Sequence, residues 1–218
     1  MSPKITLHEL TGSPNNVKVR IALGYKGLEY ERKEFALDSY PGDRSPIARL
    51  SRQPRLPVIQ DGEIVLFDSG AIMRYLEANY PDTPSLVVDD YAAFGEMEKW
   101  ELFAKTQIGE PVGMIFGEAF KPEADKTVVA KANTMLGERT GALEDKLSTG
   151  EFLVGDHLTI ADITCAAPLY LADLTEANAK EHPISGFFHA SLKLGEDRPK
   201  TRAWVRKVMA YDPIKGKR

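Results

Sequence analysis

The stretch Arg55-Leu56-Pro57-Val58-Ile59-Gln60-Asp61-Gly62-Glu63-Ile64-Val65-Leu66-Phe67-Asp68-Ser69 decides the architecture of the first part of the chain. Pro57 to Gln60 and Ile64 to Phe67 are short apolar runs, and Asp61-Gly62 between them is a tight-turn signal, so the two runs read as an antiparallel hairpin. From Ser69 the spacing becomes helical, S-G-A-I-M-R-Y-L-E-A-N-Y, as far as Tyr80. Upstream, Lys4 to His8 (K-I-T-L-H) reads as a half-buried strand. Asn16 to Lys26 carries Val17, Val19, Ile21, Ala22, Leu23 and Tyr25 on a helix closed by Gly27, and Tyr30 to Phe35 is a second strand. A polar stretch with Pro and Gly, Asp38 to Pro46, precedes the hairpin. The order is β-α-β followed by β-β-α, and the helical crossover makes the first two strands parallel.

Working outward, Pro81-Asp82-Thr83-Pro84 stops this pattern. We expect a first domain over 1–81, a linker over 82–90 and a second domain over 91–218. From Tyr91 the apolar spacing is helical throughout: Tyr91 to Ile108, Val128 to Leu147, Thr159 to Leu174 and Arg198 to Tyr211. The fold class is therefore α/β followed by all-α. Gly109, Pro111, Gly113 and Gly117 crowd the end of the first long helix, which predicts a bend there.

Composition removes several classes. The 218 residues carry 28 basic and 32 acidic side chains, net −4, and the longest basic block is Lys215-Gly216-Lys217-Arg218, so nucleic acid is a poor partner. No apolar run approaches the ~20 residues that span a bilayer, and Met1-Ser2-Pro3-Lys4 leads straight into a strand, which makes the cytoplasm the expected location. The single cysteine, Cys165, excludes an internal disulfide and any Cys-rich zinc site. His8, His157, His182 and His189 lack metal-ligand spacing, so no metal is expected.

Four local patterns, in this order, carry a resemblance over essentially the whole chain: S-P-N-N-V-K-V (Ser13 to Val19), R-L-P-V-I (Arg55 to Ile59), F-D-S-G-A-I (Phe67 to Ile72) and G-D-H-L-T-I-A-D-I (Gly155 to Ile163). The sequence resembles the cytosolic glutathione transferases of the serine type, phi- and theta-like, with a nu-like Ser/Asn pair. The resemblance implies a thioredoxin-like first domain that binds glutathione as co-substrate, and an all-helical second domain carrying the pocket for a small hydrophobic electrophile.

It also implies roles for particular residues. Glutathione reacts as its thiolate, and lowering a thiol pKa of about 8.5 by ~2 units takes ~2.7 kcal/mol of preferential stabilisation of the anion. A hydroxyl hydrogen bond to a charged acceptor supplies ~1.5–3 kcal/mol and a helix N-terminus ~0.3–1. Ser13 is the position the serine-type classes use for this, and Asn15 is where nu-like relatives place a second group. Taken alone, Ser13 reads first as an N-cap with Pro14 as the first helical residue, and it is the other three patterns that turn the reading toward thiolate binding.

Leu56-Pro57 corresponds to a cis bond in the family, where the Leu56 backbone pairs with the cysteinyl part of glutathione. Alone, Pro57 is an ordinary strand-initial proline. Ser51-Arg52-Gln53-Pro54 replaces the family's usual Asn-Pro-x-Gly, and Arg55 is a partner for the glycine carboxylate. Asp68 pairs with the α-amino group, and Ser69 with the helix amides binds the γ-glutamyl carboxylate. As isolated residues the pair are simple caps. Thr159 and Asp162 match the family's folding cap, with Leu158 and Ile163 as its hydrophobic staple.

The acceptor pocket is expected against the bent helix, where Phe103, Gln107 and Met114 recur at i, i+4 and i+11, a spacing that also suits plain core. Cys165 is expected to be buried, and serine at position 13 disfavours thioltransferase chemistry. The resemblance further implies a homodimer meeting through Ser69 to Tyr80 and the start of the Tyr91 helix. Two alternatives stay open: a maleylacetoacetate-type isomerase, suggested by V-R-I-A-L (Val19 to Leu23), and a non-catalytic interaction module of the same fold.

Overall fold

The computed structural model describes residues 4–35 and 42–214. Residues 38–41 of the predicted polar stretch lie outside the described residues, as do Met1 to Pro3 and Lys215 to Arg218. The chain forms two compact units, one holding the chain up to Leu86 together with the chain from Ala210 onward, the other Val87–Met209.

The first unit is built on a four-stranded sheet in the order β2-β1-β3-β4. β1 (Ile5–Leu10) and β2 (Tyr30–Phe35) run parallel, joined by α1 (Pro14–Tyr25). β3 (Val58–Asp61) and β4 (Ile64–Phe67) form the antiparallel hairpin, with Gly62 at φ 60° in its turn, and β3 also pairs antiparallel with β1. α3 (Ser69–Asn79) follows directly. α1 ends as its sequence predicts. The Leu28 amide reaches the Leu23 carbonyl (2.9 Å), the Gly27 amide reaches Gly24 (3.1 Å), and Gly27 takes the left-handed conformation at φ 66°.

One element escapes the apolar pattern. α2 (Ser45–Ser51) buries only Ile47 and Ser51, too little to print a helical stripe. Its start is legible in hindsight, since the Asp43 carboxylate accepts from both the amide (2.8 Å) and hydroxyl (3.0 Å) of Ser45, with Pro46 in the first turn.

The chain continues in the first unit as far as Leu86 because Glu77 holds it. Its carboxylate accepts from the Ser85 hydroxyl (2.7 Å), the Leu86 amide (2.9 Å) and the buried Lys26 ammonium (2.9 Å), which also reaches the Pro84 carbonyl (3.0 Å).

The second unit is helical: α4 (Tyr91–Phe103), a π-helical turn Ala104–Ile108, α5 (Gly109–Glu118), α6 (Lys126–Arg139), α7 (Gly141–Lys146), α8 (Ile160–Leu169), a 3-10 turn Tyr170–Asp173, α9 (Glu176–Glu181), α10 (Pro183–Ser191) and α11 (Pro199–Met209). α8 is its centre, buried along its whole length and packed on α4 and α11. The folding cap is present and wider than its sequence suggests. Asp162 accepts from the amide (3.0 Å) and hydroxyl (2.8 Å) of Thr159, and also from the Leu153 amide (2.9 Å) and the Trp204 indole (3.0 Å).

A π turn stands directly before the expected bend, upstream of the Gly/Pro cluster, and α5 then runs on through Pro111, Gly113 and Gly117. Pro111 has no amide to offer the Gln107 carbonyl, and Arg139 fills that place, donating Nη1 to Gln107 (3.2 Å) while pairing with Glu110 (2.8 Å). The single helix expected over Val128 to Leu147 is two, because Arg198 takes the Gly137 carbonyl (2.7 Å) at the junction. α9 and α10 were not expected. α9 buries no residue and starts on a Thr175–Asn178 capping box, and α10 starts on Pro183.

Candidate functional site

Sheet register brings the sequence-predicted residues of the first unit to one edge. His8 near the end of β1 lies opposite Val58 at the start of β3, and Val58 lies opposite Phe67 at the end of β4. The turn carrying Ser13, the Leu56-Pro57 step and the Asp68-Ser69 step therefore all leave the sheet at the same end. Two helices, α1 and α3, begin there, so the positive ends of both helix dipoles lie at that end of the sheet.

Ser13 is the N-cap residue of α1, with extended backbone (φ −71°, ψ 126°) and Gly12 before it at φ 90°. Its carbonyl accepts from the Asn16 and Val17 amides (3.0 Å each), whereas its hydroxyl makes no capping bond. The amide-capping role that competes with thiolate binding is thus not taken up. Asn15 stands apart: it is exposed, and its side-chain oxygen accepts from Lys18 (3.1 Å). The adjacent Asn16, which sequence reasoning passed over, is buried, and its Oδ1 accepts from the Leu10 amide (3.2 Å) while the Ser13 amide donates to the Leu10 carbonyl (3.1 Å). Asn16 and Ser13 thus hold the two sides of Leu10 and shape the turn between β1 and α1.

The Leu56–Pro57 peptide is cis, with Pro57 buried and Leu56 half-buried. The unusual Ser51-Arg52-Gln53-Pro54 loop is locally ordered. Arg52 closes α2 in the left-handed conformation, and the Gln53 amide brackets Arg55, accepting from its backbone N–H (2.6 Å) and donating to its carbonyl (3.0 Å). Arg55 itself is exposed.

Asp68 sits at φ 71°, a conformation that costs a non-glycine residue about 1–3 kcal/mol. Its Oδ1 accepts from the Gly70 and Ala71 amides (3.0 Å each), which caps α3 and leaves Oδ2 for another donor. The expectation that these helix amides bind a carboxylate is therefore narrowed, since Asp68 already occupies two of them. Ser69, the first residue of α3, is buried.

In the second unit Phe103, Gln107 and Met114 are each half-buried. Phe103 stands edge-on to Trp100 (5.2 Å between centroids), and Gln107 donates to the Thr106 hydroxyl (3.2 Å). The i, i+4, i+11 repeat assumes an unbroken α-helix. The extra residue of the π turn rotates Met114 about 100° off the Phe103 face. Cys165 is buried and donates to the Trp100 carbonyl (3.4 Å), placing it in the core.

The profile of the glutathione S-transferase N-terminal domain matches residues 7–84 and that of the C-terminal domain residues 97–212, so the chain belongs to the glutathione S-transferase family, with a thioredoxin-like first domain and a helical second one. Glutathione S-transferase 3 of Zea mays is 28% identical over 216 residues, covering 96% of this chain and 90% of the maize protein. Elongation factor 1-gamma 3 of Oryza sativa is 28% identical over 174 residues, 76% of this chain and 40% of the elongation factor. A glutathione transferase family member from Pseudomonas fluorescens, solved with two glutathione bound, superposes with a TM-score of 0.74 at 26% identity, covering 94% of this chain and 88% of that one. Among the described residues no helix is long and apolar enough to cross a membrane.

Proposed function

We propose that this chain is a glutathione transferase, an enzyme of the cytoplasm that activates the glutathione thiolate for attack on small hydrophobic electrophiles, peroxides or disulfides, as in detoxification. The observation that carries the reading is Ser13: a helix-start hydroxyl free of capping, at the sheet edge where Leu56, Asp68 and Ser69 also emerge. Ser13 donates to the thiolate sulfur, and the first-turn amides of α1 add a favourable field. Asn15 is the second group for the thiol once its bond to Lys18 is released. Leu56 and Pro57 present backbone to the cysteinyl unit, Arg55 takes the glycine carboxylate with parallel hydrogen bonds, and Asp68 and Ser69 read the ammonium and carboxylate of the γ-glutamyl end.

In the transfer itself the thiol proton goes to solvent, the thiolate electron pair forms a bond to the electrophilic atom, and the leaving group departs with its bonding pair. Phe103 and Gln107 are the proposed acceptor-side residues, with Met114 on a face about 100° round the helix from Phe103. In domain terms, residues 1–81 bind glutathione, 82–90 link, and 91–218 carry the acceptor site. Exposed Ile64 and Phe67 on β4, and Tyr91 and Phe94 on α4, support a homodimer.

Titration calorimetry with millimolar glutathione and turnover of a panel of aryl halide, hydroperoxide and mixed-disulfide substrates test the reading. Binding with turnover of at least one substrate supports it, and absence of binding overturns it. The likeness to elongation factor 1-gamma favours a second reading, an interaction module, which predicts no turnover of any panel member. A maleylacetoacetate-type isomerase would instead turn over that substrate alone.

A further inference from the structure

A buried charge cluster of the first unit plays no part in the proposed reaction. Arg20, seven residues beyond Ser13 on α1, has a side chain with no solvent exposure, and so do the two carboxylates it meets. Asp212 accepts Nε at 3.0 and 3.2 Å on its two oxygens and Nη2 at 2.8 Å. Glu9 on β1 accepts Nη1 with one oxygen and Nε of Arg32, from β2, with the other. Arg32 in turn donates Nη2 to the Thr11 hydroxyl, which donates to Glu34. An unbroken line of hydrogen bonds thus runs from Asp212 to Thr11, two residues before Ser13.

The segment that bears Asp212 is fitted to α1. A Cβ on Gly24 would lie 2.0 Å from the Tyr211 carbonyl oxygen, so this helix position is glycine where the returning chain crosses it. The Tyr211 ring meets Tyr25 edge-on at 5.0 Å, and the Ile214 amide donates to Asp212 (2.9 Å), fixing the carboxylate. Stability alone does not call for such a cluster, because well-packed apolar groups in place of a buried ion pair are often as stable or more so. What charges with bidentate geometry add is a fixed orientation, and the parts oriented here are α1 and the turn that precedes it.

We infer that Asp212 is a positioning residue for Ser13. Through Arg20 and Glu9 it sets α1 against β1, and through Arg32 and Thr11 it sets the turn from which the Ser13 hydroxyl projects. The inference rests on the glutathione reading above for its chemical consequence, and Asp212 itself touches no glutathione.

The full chain is compared with Asp212→Asn, Asp212→Glu and Thr11→Val, the last cutting only the outer link. Two quantities are measured: the pKa of bound glutathione from its thiolate absorbance, and amide hydrogen exchange across Leu10 to Val17 without ligand. Asp212→Asn and Thr11→Val are each expected to raise the bound thiol pKa by about one unit, an about tenfold lower thiolate-to-thiol ratio at a given pH, and to speed exchange from Gly12 to Val17. Asp212→Glu is expected to recover part of both. Should Asp212→Asn not fold, Thr11→Val carries the comparison. An unchanged thiol pKa together with unchanged exchange in Thr11→Val overturns the inference, as does an Asp212→Asn protein that is only less stable. If the unaltered chain binds no glutathione, the functional reading fails on its own, and exchange still decides whether Asp212 governs the turn.

Discussion

Ser13 and Asp162 show how a polar side chain in the first turn of a helix can serve two ends. Both stand at helix starts, and capping alone would account for each. At α8 capping is the whole story, and the burial is severe: Asp162 has no exposure, and burial pushes its carboxyl pKa up against the four hydrogen bonds donated to it. Replacing a cap costs ~0.5–2 kcal/mol. Asp162→Ala should cost more, at least about 3 kcal/mol in a urea unfolding experiment, because the Leu153 amide and Trp204 indole also lose their acceptor in the core. Catalytic constants of the folded fraction should be unaffected. Ser13→Ala should do the reverse: stability close to unaltered, since its hydroxyl caps nothing, and a bound-thiol pKa higher by roughly one to two units, read from thiolate absorbance. The cap at α8 was legible as a four-residue word, T-I-A-D. Asn16 was not legible, because a buried asparagine beside an exposed one differs only in which side of the helix it takes.

Among the elements, α1 carries the most constraint. Its apolar stripe and closing glycine were readable from spacing, and so was its first turn. Gly24 was not, because the reason for it lies in the chain at Tyr211. Gly24→Ala should destabilise by about 1–3 kcal/mol despite alanine's better helix propensity, since its Cβ would press on a carbonyl oxygen of the returning chain. A rise in the unfolding midpoint would show that the crossing is looser than the geometry requires. The π turn between α4 and α5 makes the same point. Period counting carried Phe103, Gln107 and Met114 onto one face, and a single inserted residue breaks that count while leaving every local propensity intact. α2 and α9 escaped reading for a different reason, burying too few residues to leave a period at all.

Over the whole chain, the titrating groups give stability a direction with pH. Burial pushes the Asp61 carboxyl up, but hydrogen bonds from Tyr80, Lys4 and Tyr75 outweigh it and hold its pKa below the ordinary 3.8. Glu77 and Glu144 are likewise held below 4.5, burial opposing, by Lys26 with the Leu86 amide and by the Thr201 and Lys200 amides. A carboxylate with a depressed folded pKa contributes stability above its unfolded value that is lost as pH falls through the folded one. His8, lowered from 6.5 by burial and then by Lys33, adds a loss of the same sign that begins below pH 6.5. Two groups oppose them: Asp162, whose carboxyl pKa is pushed up by burial so that its penalty is relieved as pH falls, and His157. Burial lowers the His157 pKa, but Asp156 and the Val87 carbonyl raise it above 6.5, so its contribution is present below that pH and lost as pH rises through the folded value. Urea midpoints should therefore fall from pH 7 to pH 4, with the steepest loss below pH 4.5 where the three carboxylates protonate. A flat profile over that range would mean their hydrogen bonds persist in the unfolded chain.

What the sequence determined by itself was local: strand and helix type, the hairpin turn, the helix starts at Ser13 and Thr159, the break after Tyr80, and the family to which these words in this order belong. Each follows from preferences acting over a few residues. What only the tertiary structure decided was which local options are used: that the Ser13 hydroxyl leaves its amides uncapped while Asp68 caps α3, that Asn15 faces out and Asn16 in, and that Arg139 replaces the donor Pro111 lacks. The pairing of Arg20 with Asp212, 192 residues apart, is the extreme case. An arginine within V-R-I-A-L requires a buried counter-charge, but no local pattern says from where, because the desolvated charge is satisfied by whichever carboxylate the finished fold brings to it.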